Sequence, residues 1–164
     1  MATDRLHALA DQVITAARNR DWRIATAESC TGGLLAGALT GIPGSSAVVE
    51  EGFVTYSNDA KHRTLDVPMG EIERYGAVSS QVAEAMAAGA VAVTAADIAV
   101  SITGVAGPDG GTEDKPVGLV WFGICVSGLA PESHEKRFDG DRQAVREAAV
   151  EHALTLLRDR ALAR

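Results

Sequence analysis

The sequence predicts a single three-layer α/β domain over residues 1–164, with helices on both faces of a mixed, largely buried sheet. Strand-like apolar runs alternate along the chain with stripes at helical spacing. Hydrophobic residues make up 46% of the chain but aromatic ones only 4%, and alanine and glycine are common, which suits helices packed closely on a sheet. At 164 residues the chain can bury a core without metals or disulfide staples, and it carries no internal repeat, linker or low-complexity stretch.

The elements follow in order. Leu6, Leu9, Ala10, Val13, Ile14 and Ala17 form a helical stripe that ends near Asn19-Arg20. Arg23 to Ala27 reads as a short strand, followed by a small-residue helix from about Thr31 to Leu39 that the breakers Gly41, Pro43 and Gly44 close. Val48, Val49, Phe53, Val54 and Tyr56 mark a β-rich leg in which Gly52 is the expected bulge. Asn58 reads as the N-cap of the next helix, so Lys61 falls in its first turn. Val67-Pro68 interrupts, a short helix spans about Gly70 to Tyr75, and Ser79 opens a long alanine-rich helix to about Ala96. Asp97 to Thr103 suits a central strand covered on both faces, and it empties into the glycine-rich loop Gly104 to Gly111. Val117 to Val126 is a second long strand, Ser133 to Phe138 a more exposed one, and Gly140-Asp141-Arg142 begins a terminal helix with the stripe Val145, Ala149, Ala153, Leu156 and Leu157.

Charge and cysteine content narrow the function. A net charge of -7 opposes nucleic acid and anionic membranes, so an anionic small molecule would need a local cationic pocket. The uncharged run Ala85 to Ala96 is too short and too rich in alanine and glycine to span a bilayer. Cys30 and Cys125 lack metal-like spacing, and His7, His62, His134 and His152 are scattered, so neither metal nor cofactor is expected. Met1 to Arg20 is amphipathic and charged rather than signal-like, and the expectation is a reduced, cytoplasmic protein. The alanine-rich helix could pack against a second subunit as readily as against the sheet, which leaves a homo-oligomer open.

The chemistry centres on Ala25 to Leu34, where a buried strand turns abruptly into a helix and can present backbone N–H groups and a hydroxyl at one spot. Ser29 is either a nucleophile there or, with Thr31, a helix cap, and Gly32 and Gly33 behind it would let a substrate approach the backbone. Cys30 is the rival nucleophile; without a partner histidine it reads better as a packed, inert thiol. Lys61 could serve as a base only if stripped of water, its pKa falling by about two to three units, and otherwise is a solvated lysine. Tyr56 orients such a pair or anchors the sheet edge. The Thr103 to Gly111 loop lies where open α/β sheets bind ligands, yet it matches neither a P-loop nor a dinucleotide fingerprint and could be only a tight connection. Arg142 suits a phosphate or carboxylate, or a salt bridge to Asp139 or Asp141.

The stretches 27–33, 52–58 with Lys61, 76–79, 101–111, 115–118 and 140–142 closely resemble the CinA C-terminal-like family, in order and over nearly the whole chain. Its best-known members are bacterial nicotinamide-nucleotide amidases. The resemblance implies metal-free hydrolysis of the carboxamide of nicotinamide mononucleotide, giving nicotinate mononucleotide and ammonia. It implies Ser29 as nucleophile, Lys61 as the base, and Tyr56 close to the pair. Cys30, Thr31, Gly32, Gly33, Thr103 and Gly104 would line the substrate site, and Arg142 would hold the substrate phosphate. Longer relatives carry a molybdopterin-binding-like half without counterpart here, so pyrophosphatase activity is not expected. Two alternatives stay open: an amidase for another small carboxamide, with Thr112-Glu113-Asp114 the place for specificity to drift, and a catalytically silent nucleotide-binding module.

Overall fold

Ile98–Gly104 (β3) carries no charged residue and is buried on both faces, and the rest of the sheet is built outward from it. In the computed structural model, which describes residues 2–163, β3 lies at the centre of five strands in the order β2-β1-β3-β4-β5. Ile24–Glu28 (β1) and Val49–Val54 (β2) run parallel to it, whereas Leu119–Val126 (β4) is antiparallel to β3 and Glu132–Arg137 (β5) antiparallel to β4. This topology collects the carboxyl ends of β1, β2, β3 and β5 at one edge, together with the start of β4.

The helices are Ala2–Asn19 (α1), Leu34–Thr40 (α2), Asn58–Leu65 (α3), Met69–Tyr75 (α4), Ser80–Val93 (α5) and Arg142–Leu162 (α6). On one face of the sheet, Ile24, Ile98, Val100, Ile102, Val120, Phe122 and Ile124 pack with apolar residues of α1, α2 and α6. On the other face the central strands β1 and β3 contribute alanines, and Phe53 of β2 joins them. Ala25, Ala27 and Ala99 pack there with Val82, Met86 and Ala90 of α5 and with Leu65, Val67 and Ile72. Gly123 of β4 lies so close to α5 that a methyl group at its position would collide with the Ala83 carbonyl oxygen. Ser101 Oγ bridges the same gap, donating to the Ala83 carbonyl (2.5 Å) and accepting from the Gly123 N–H (3.0 Å). Beneath α5, close backbone approach at Ser101 and Gly123 takes the place of side-chain packing. No helix among the described residues is long and apolar enough to cross a membrane.

Three expected details differ. The cap of α3 is Ser57, whose Oγ accepts from Ala60 N–H at 3.0 Å, rather than Asn58, because the hydroxyl must sit one residue before the first helical turn to reach that amide. The β-bulge falls between Val49 and Glu51, where the register to Ile24 and Ala25 slips, not at Gly52. Gly52 pairs regularly with Thr26, and its missing side chain admits Ala36 of α2, 3.0 Å from where a Cβ would stand. The small-residue helix begins at Leu34 rather than Thr31, since Gly32 (φ 57°) and Gly33 (φ 103°) turn the chain through left-handed backbone that other residues rarely adopt.

Two stability effects follow. Gly123→Ala should lower unfolding free energy by at least about 2 kcal/mol, as overpacking against fixed backbone does, seen as a lower denaturant midpoint at unchanged m. His152 on α6 stacks edge-on against Phe122 with ring centroids 4.6 Å apart, its Nε2 buried without a partner, and burial with Lys136 and His134 nearby lowers its pKa to about 4 against the opposing pull of Asp159. The unfolded chain therefore binds the extra proton first: stability linked to this ring is complete above 6.5 and is lost as the pH falls towards 4. Replacing it in His152→Leu should flatten that part of the stability–pH curve relative to wild type; parallel curves would contradict the assignment.

Candidate active site

The backbone of Ser29 is pinned where β1 ends. Its N–H donates to the Ile102 carbonyl (2.9 Å) while the preceding carbonyl of Glu28 accepts from Thr55 N–H (2.9 Å), so neighbouring strands on both sides fix the residue. Ser29 is half-buried, and its Oγ lies 3.0 Å from Lys61 Nζ. Lys61 reaches it from the first turn of α3, running inward with only 1% of its surface exposed. Nζ also donates to the Thr55 carbonyl at 2.9 Å, and among the described residues no carboxylate stands within salt-bridge distance of it. Burial without a counter-charge holds its pKa below the ordinary 10.5, against a smaller opposing pull from Cys30.

The buried carboxylate of Glu28 organises the turn after Ser29. Its Oε1 accepts from Thr31 Oγ1 (2.6 Å) and Leu35 N–H (2.9 Å), and its Oε2 from Ala36 N–H (3.1 Å). An acidic side chain on the first amides of α2 both satisfies them and complements the helix dipole. The first amides of α2 are therefore occupied, that of Leu34 by the Thr31 carbonyl and those of Leu35 and Ala36 by Glu28. The amides of Cys30, Thr31 and Gly33 have no backbone carbonyl partner among the described residues, so the turn rather than the helix offers free donors. Glu28 was read past in the sequence; a lone acid at the end of an apolar strand, three residues before a threonine, was the available signal.

The other predicted residues fall into two groups. Tyr56 and Arg142 meet each other: Arg142 Nη2 donates to the Tyr56 hydroxyl at 3.1 Å, and Nη1 donates to the Gly107 carbonyl at 2.7 Å. The tyrosine is 62% exposed and bonded there rather than to Ser29 or Lys61, and Arg142 is free of the salt bridge to Asp139 or Asp141 that was the alternative. Asp141 instead caps α6, accepting from Ala144 N–H at 2.9 Å. Beside Arg142 lies a cavity of about 470 Å³, bounded also by Ala106, Pro108, Val117, Gly140, Asp141 and Gln143.

The second group has its side chains engaged by the scaffold. Thr31 Oγ1 is held by Glu28, and Thr103 Oγ1 donates to the Ala77 carbonyl at 2.8 Å, tying β3 to the loop before α5. Gly104 is a glycine because Val120 and Leu119 of β4 stand where its side chain would be. Gly32 and Gly33 supply the left-handed turn already described. Cys30 is buried, with its thiol pushed up to about 11 chiefly by desolvation, which disfavours the thiolate. Arg146, one turn along α6 from Arg142, was not anticipated; it donates to the carbonyls of Cys30 (3.0 Å) and Thr31 (3.3 Å). Among the described residues no group of three or more His, Cys, Asp and Glu side chains is arranged to hold a metal ion.

Fold and site together define an α/β protein with a half-buried serine bonded to a buried lysine at the carboxyl edge of its sheet. Residues 6–161 match the CinA C-terminal domain, and the chain belongs to that family. It is 49% identical to the Nicotinamide-nucleotide amidohydrolase PncC of Enterobacter agglomerans, over 97% of this chain and 98% of that protein. A longer Clostridium novyi protein, of the group named competence-damage inducible, is 56% identical over 82% of this chain, which spans only 32% of its length. The crystal structure of the competence/damage inducible protein CihA from Agrobacterium tumefaciens superposes with a TM-score of 0.91 at 47% identity, over 93% of each chain.

The role given to Glu28 can be measured directly. Glu28→Ala leaves two buried donors and one part-buried donor without an acceptor and should cost at least about 2 kcal/mol of stability, at roughly 1–3 kcal/mol per buried orphaned group, whereas Glu28→Gln, which keeps one acceptor oxygen, should lose less. Equal unfolding midpoints for the two variants would show that the carboxylate does not hold this turn.

Proposed function

We propose that this chain hydrolyses the carboxamide of nicotinamide mononucleotide to nicotinate mononucleotide and ammonia through a Ser29 acyl-enzyme. The observation that carries the reading is the 3.0 Å approach of a desolvated Lys61 amine to Ser29 Oγ. The substrate rests on full-length similarity to a relative bearing that activity in its name.

The steps follow from the geometry. Neutral Lys61 keeps an N–H on the Thr55 carbonyl, which aims its lone pair at Ser29, and takes the hydroxyl proton as Oγ bonds to the amide carbon. Charge develops on the carbonyl oxygen, and the unpartnered amides that follow Ser29 in the chain are the backbone donors left to receive it. The Lys61 ammonium returns its proton to the nitrogen as the C–N bond breaks and ammonia leaves. Water, giving its proton to Lys61, then attacks the ester, and nicotinate mononucleotide departs as Ser29 regains its hydrogen. Arg142, exposed between Tyr56 and the 470 Å³ cavity, is the group for the phosphate, which answers the requirement for local positive charge in an acidic chain. The substrate's pyridinium disfavours a second cation beside it, which keeps Lys61 neutral, and draws electrons from the carbonyl; uncharged nicotinamide should be a poor substrate. Two free, buried thiols fit a reducing, cytoplasmic setting.

Purified protein should release ammonia from nicotinamide mononucleotide, and Ser29→Ala or Lys61→Ala should each reduce kcat by roughly a thousandfold or more. Since the neutral amine is the active form, activity is lost as the pH falls through the Lys61 pKa, and the rising limb should lie below 10.5. Absence of ammonia release by wild type, with turnover of another carboxamide in a substrate panel, would move the assignment to that compound.

A further inference from the structure

Arg146 is not explained by ion pairing. Among the described residues no carboxylate lies within salt-bridge distance of it, although it sits part-buried on α6. Its two side-chain bonds go to successive carbonyls of the nucleophile turn, Cys30 O from Nε and Thr31 O from Nη2. Gly32 lies directly beneath the guanidinium, with Nη2 3.2 Å from where its Cβ would be, so the turn and the arginine are fitted to each other.

Peptide geometry gives this contact a consequence at the reacting centre. In a trans peptide the C=O and N–H point in opposite directions, and the Cys30–Thr31 bond is trans. With the Cys30 carbonyl drawn toward α6, the Thr31 N–H points away from α6. The helix packs on the sheet face of Ile98, Val100 and Ile102, whereas Leu65, one turn beyond Lys61 on α3, packs on the opposite face. The Thr31 amide is thus directed from the α6 side toward the side from which Lys61 reaches Ser29, and it has no backbone carbonyl partner. The next amide, that of Gly32, donates to the Ser29 carbonyl at 3.1 Å and closes the turn. A full positive charge on the carbonyl end of a peptide also makes its N–H a stronger donor.

We propose that Arg146 is a positioning residue: by binding the Cys30 and Thr31 carbonyls it turns the Thr31 N–H toward the scissile carbonyl and strengthens it as the oxyanion donor. This rests on the amidase reading above. It also places two arginines one turn apart on α6 in separate tasks, Arg142 toward the ligand and Arg146 toward the backbone that stabilises the transition state.

The test compares wild type, Arg146→Ala and Arg146→Lys. With nicotinamide mononucleotide, Arg146→Ala should lower kcat by roughly a hundredfold, the scale of losing one oxyanion donor, with KM within about threefold. The rising limb of its pH profile should stay in place because Lys61 is untouched. Arg146 also borders a cavity of about 270 Å³ with Leu6, Leu34, Gln143, Glu147 and Val150, so added guanidinium can reach the vacated position and should restore part of kcat. Arg146→Lys, which keeps the charge but not both bonds, should fall between, and it carries the test if the alanine variant does not fold. The second readout needs no nucleotide: the rate at which a fluorophosphonate probe modifies Ser29, followed by mass spectrometry, since its phosphoryl oxygen occupies the oxyanion position. A slowing of roughly tenfold or more in the variants supports the proposal. Unchanged kcat and unchanged labelling, or a loss confined to KM, overturns it. Wild type that labels with the probe but releases no ammonia from the nucleotide refutes the substrate alone, and the labelling rates then decide the role of Arg146.

Discussion

Everything distinctive about this molecule depends on keeping one lysine amine out of water. A lysine in the first turn of a surface helix is ordinarily a solvated cation, and as such cannot accept a proton from serine. Here Lys61 is directed under α3 onto the sheet edge, where it meets Ser29 Oγ and the Thr55 carbonyl and, among the described residues, no counter-ion. Desolvation favours the neutral amine, and the same burial costs folding free energy that the surrounding packing must offset. Most of the structure can be understood as the packing that offsets it.

That packing takes two forms on the two faces of the sheet. Beneath α5 the approach is backbone on backbone, through alanines, Ser101 and Gly123, with Gly89 admitting the Leu65 carbonyl at the end of α3. This fixes α3, and so Lys61, relative to β1. Beneath α6 the core is built from larger aliphatic side chains and Phe122, and the helix leaves its first turns projecting over the site. Because β5 ends at the same edge as β1, β2 and β3, α6 starts there, which is why Arg142 reaches Tyr56 and the Gly107 loop and Arg146 reaches the turn after Ser29 from one helix.

The fold was legible because each element announces itself locally: stripes in α1 and α6, the uncharged run of β3, breakers at Gly41 to Gly44 and at Pro68. Ser29, Lys61 and Arg142 were legible as residue types in suggestive places. Glu28 and Arg146 were not. A buried glutamate on helix amides and an arginine on turn carbonyls involve partners 7 and 116 residues away, and their significance exists only once those partners are in place. The glycines were visible without their reasons: Gly52 is not the bulge but the place where α2 approaches, and Gly32-Gly33 carry left-handed backbone, because glycine marks a need for space or unusual backbone without saying which.

Composition, periodicity and breakers are properties of neighbouring residues, so the chain alone settles a mixed α/β domain, its approximate element boundaries, and a strand-to-helix turn bearing Ser29. The register of β1 between β2 and β3, the burial of Lys61 and the meeting of Tyr56 with Arg142 are decided by contacts between distant segments, and the occupation of the α2 amides by Glu28 by how the turn between them folds. They come from tertiary structure because desolvation and hydrogen-bond direction are set by everything that surrounds a group, and local sequence specifies only a small part of that surrounding.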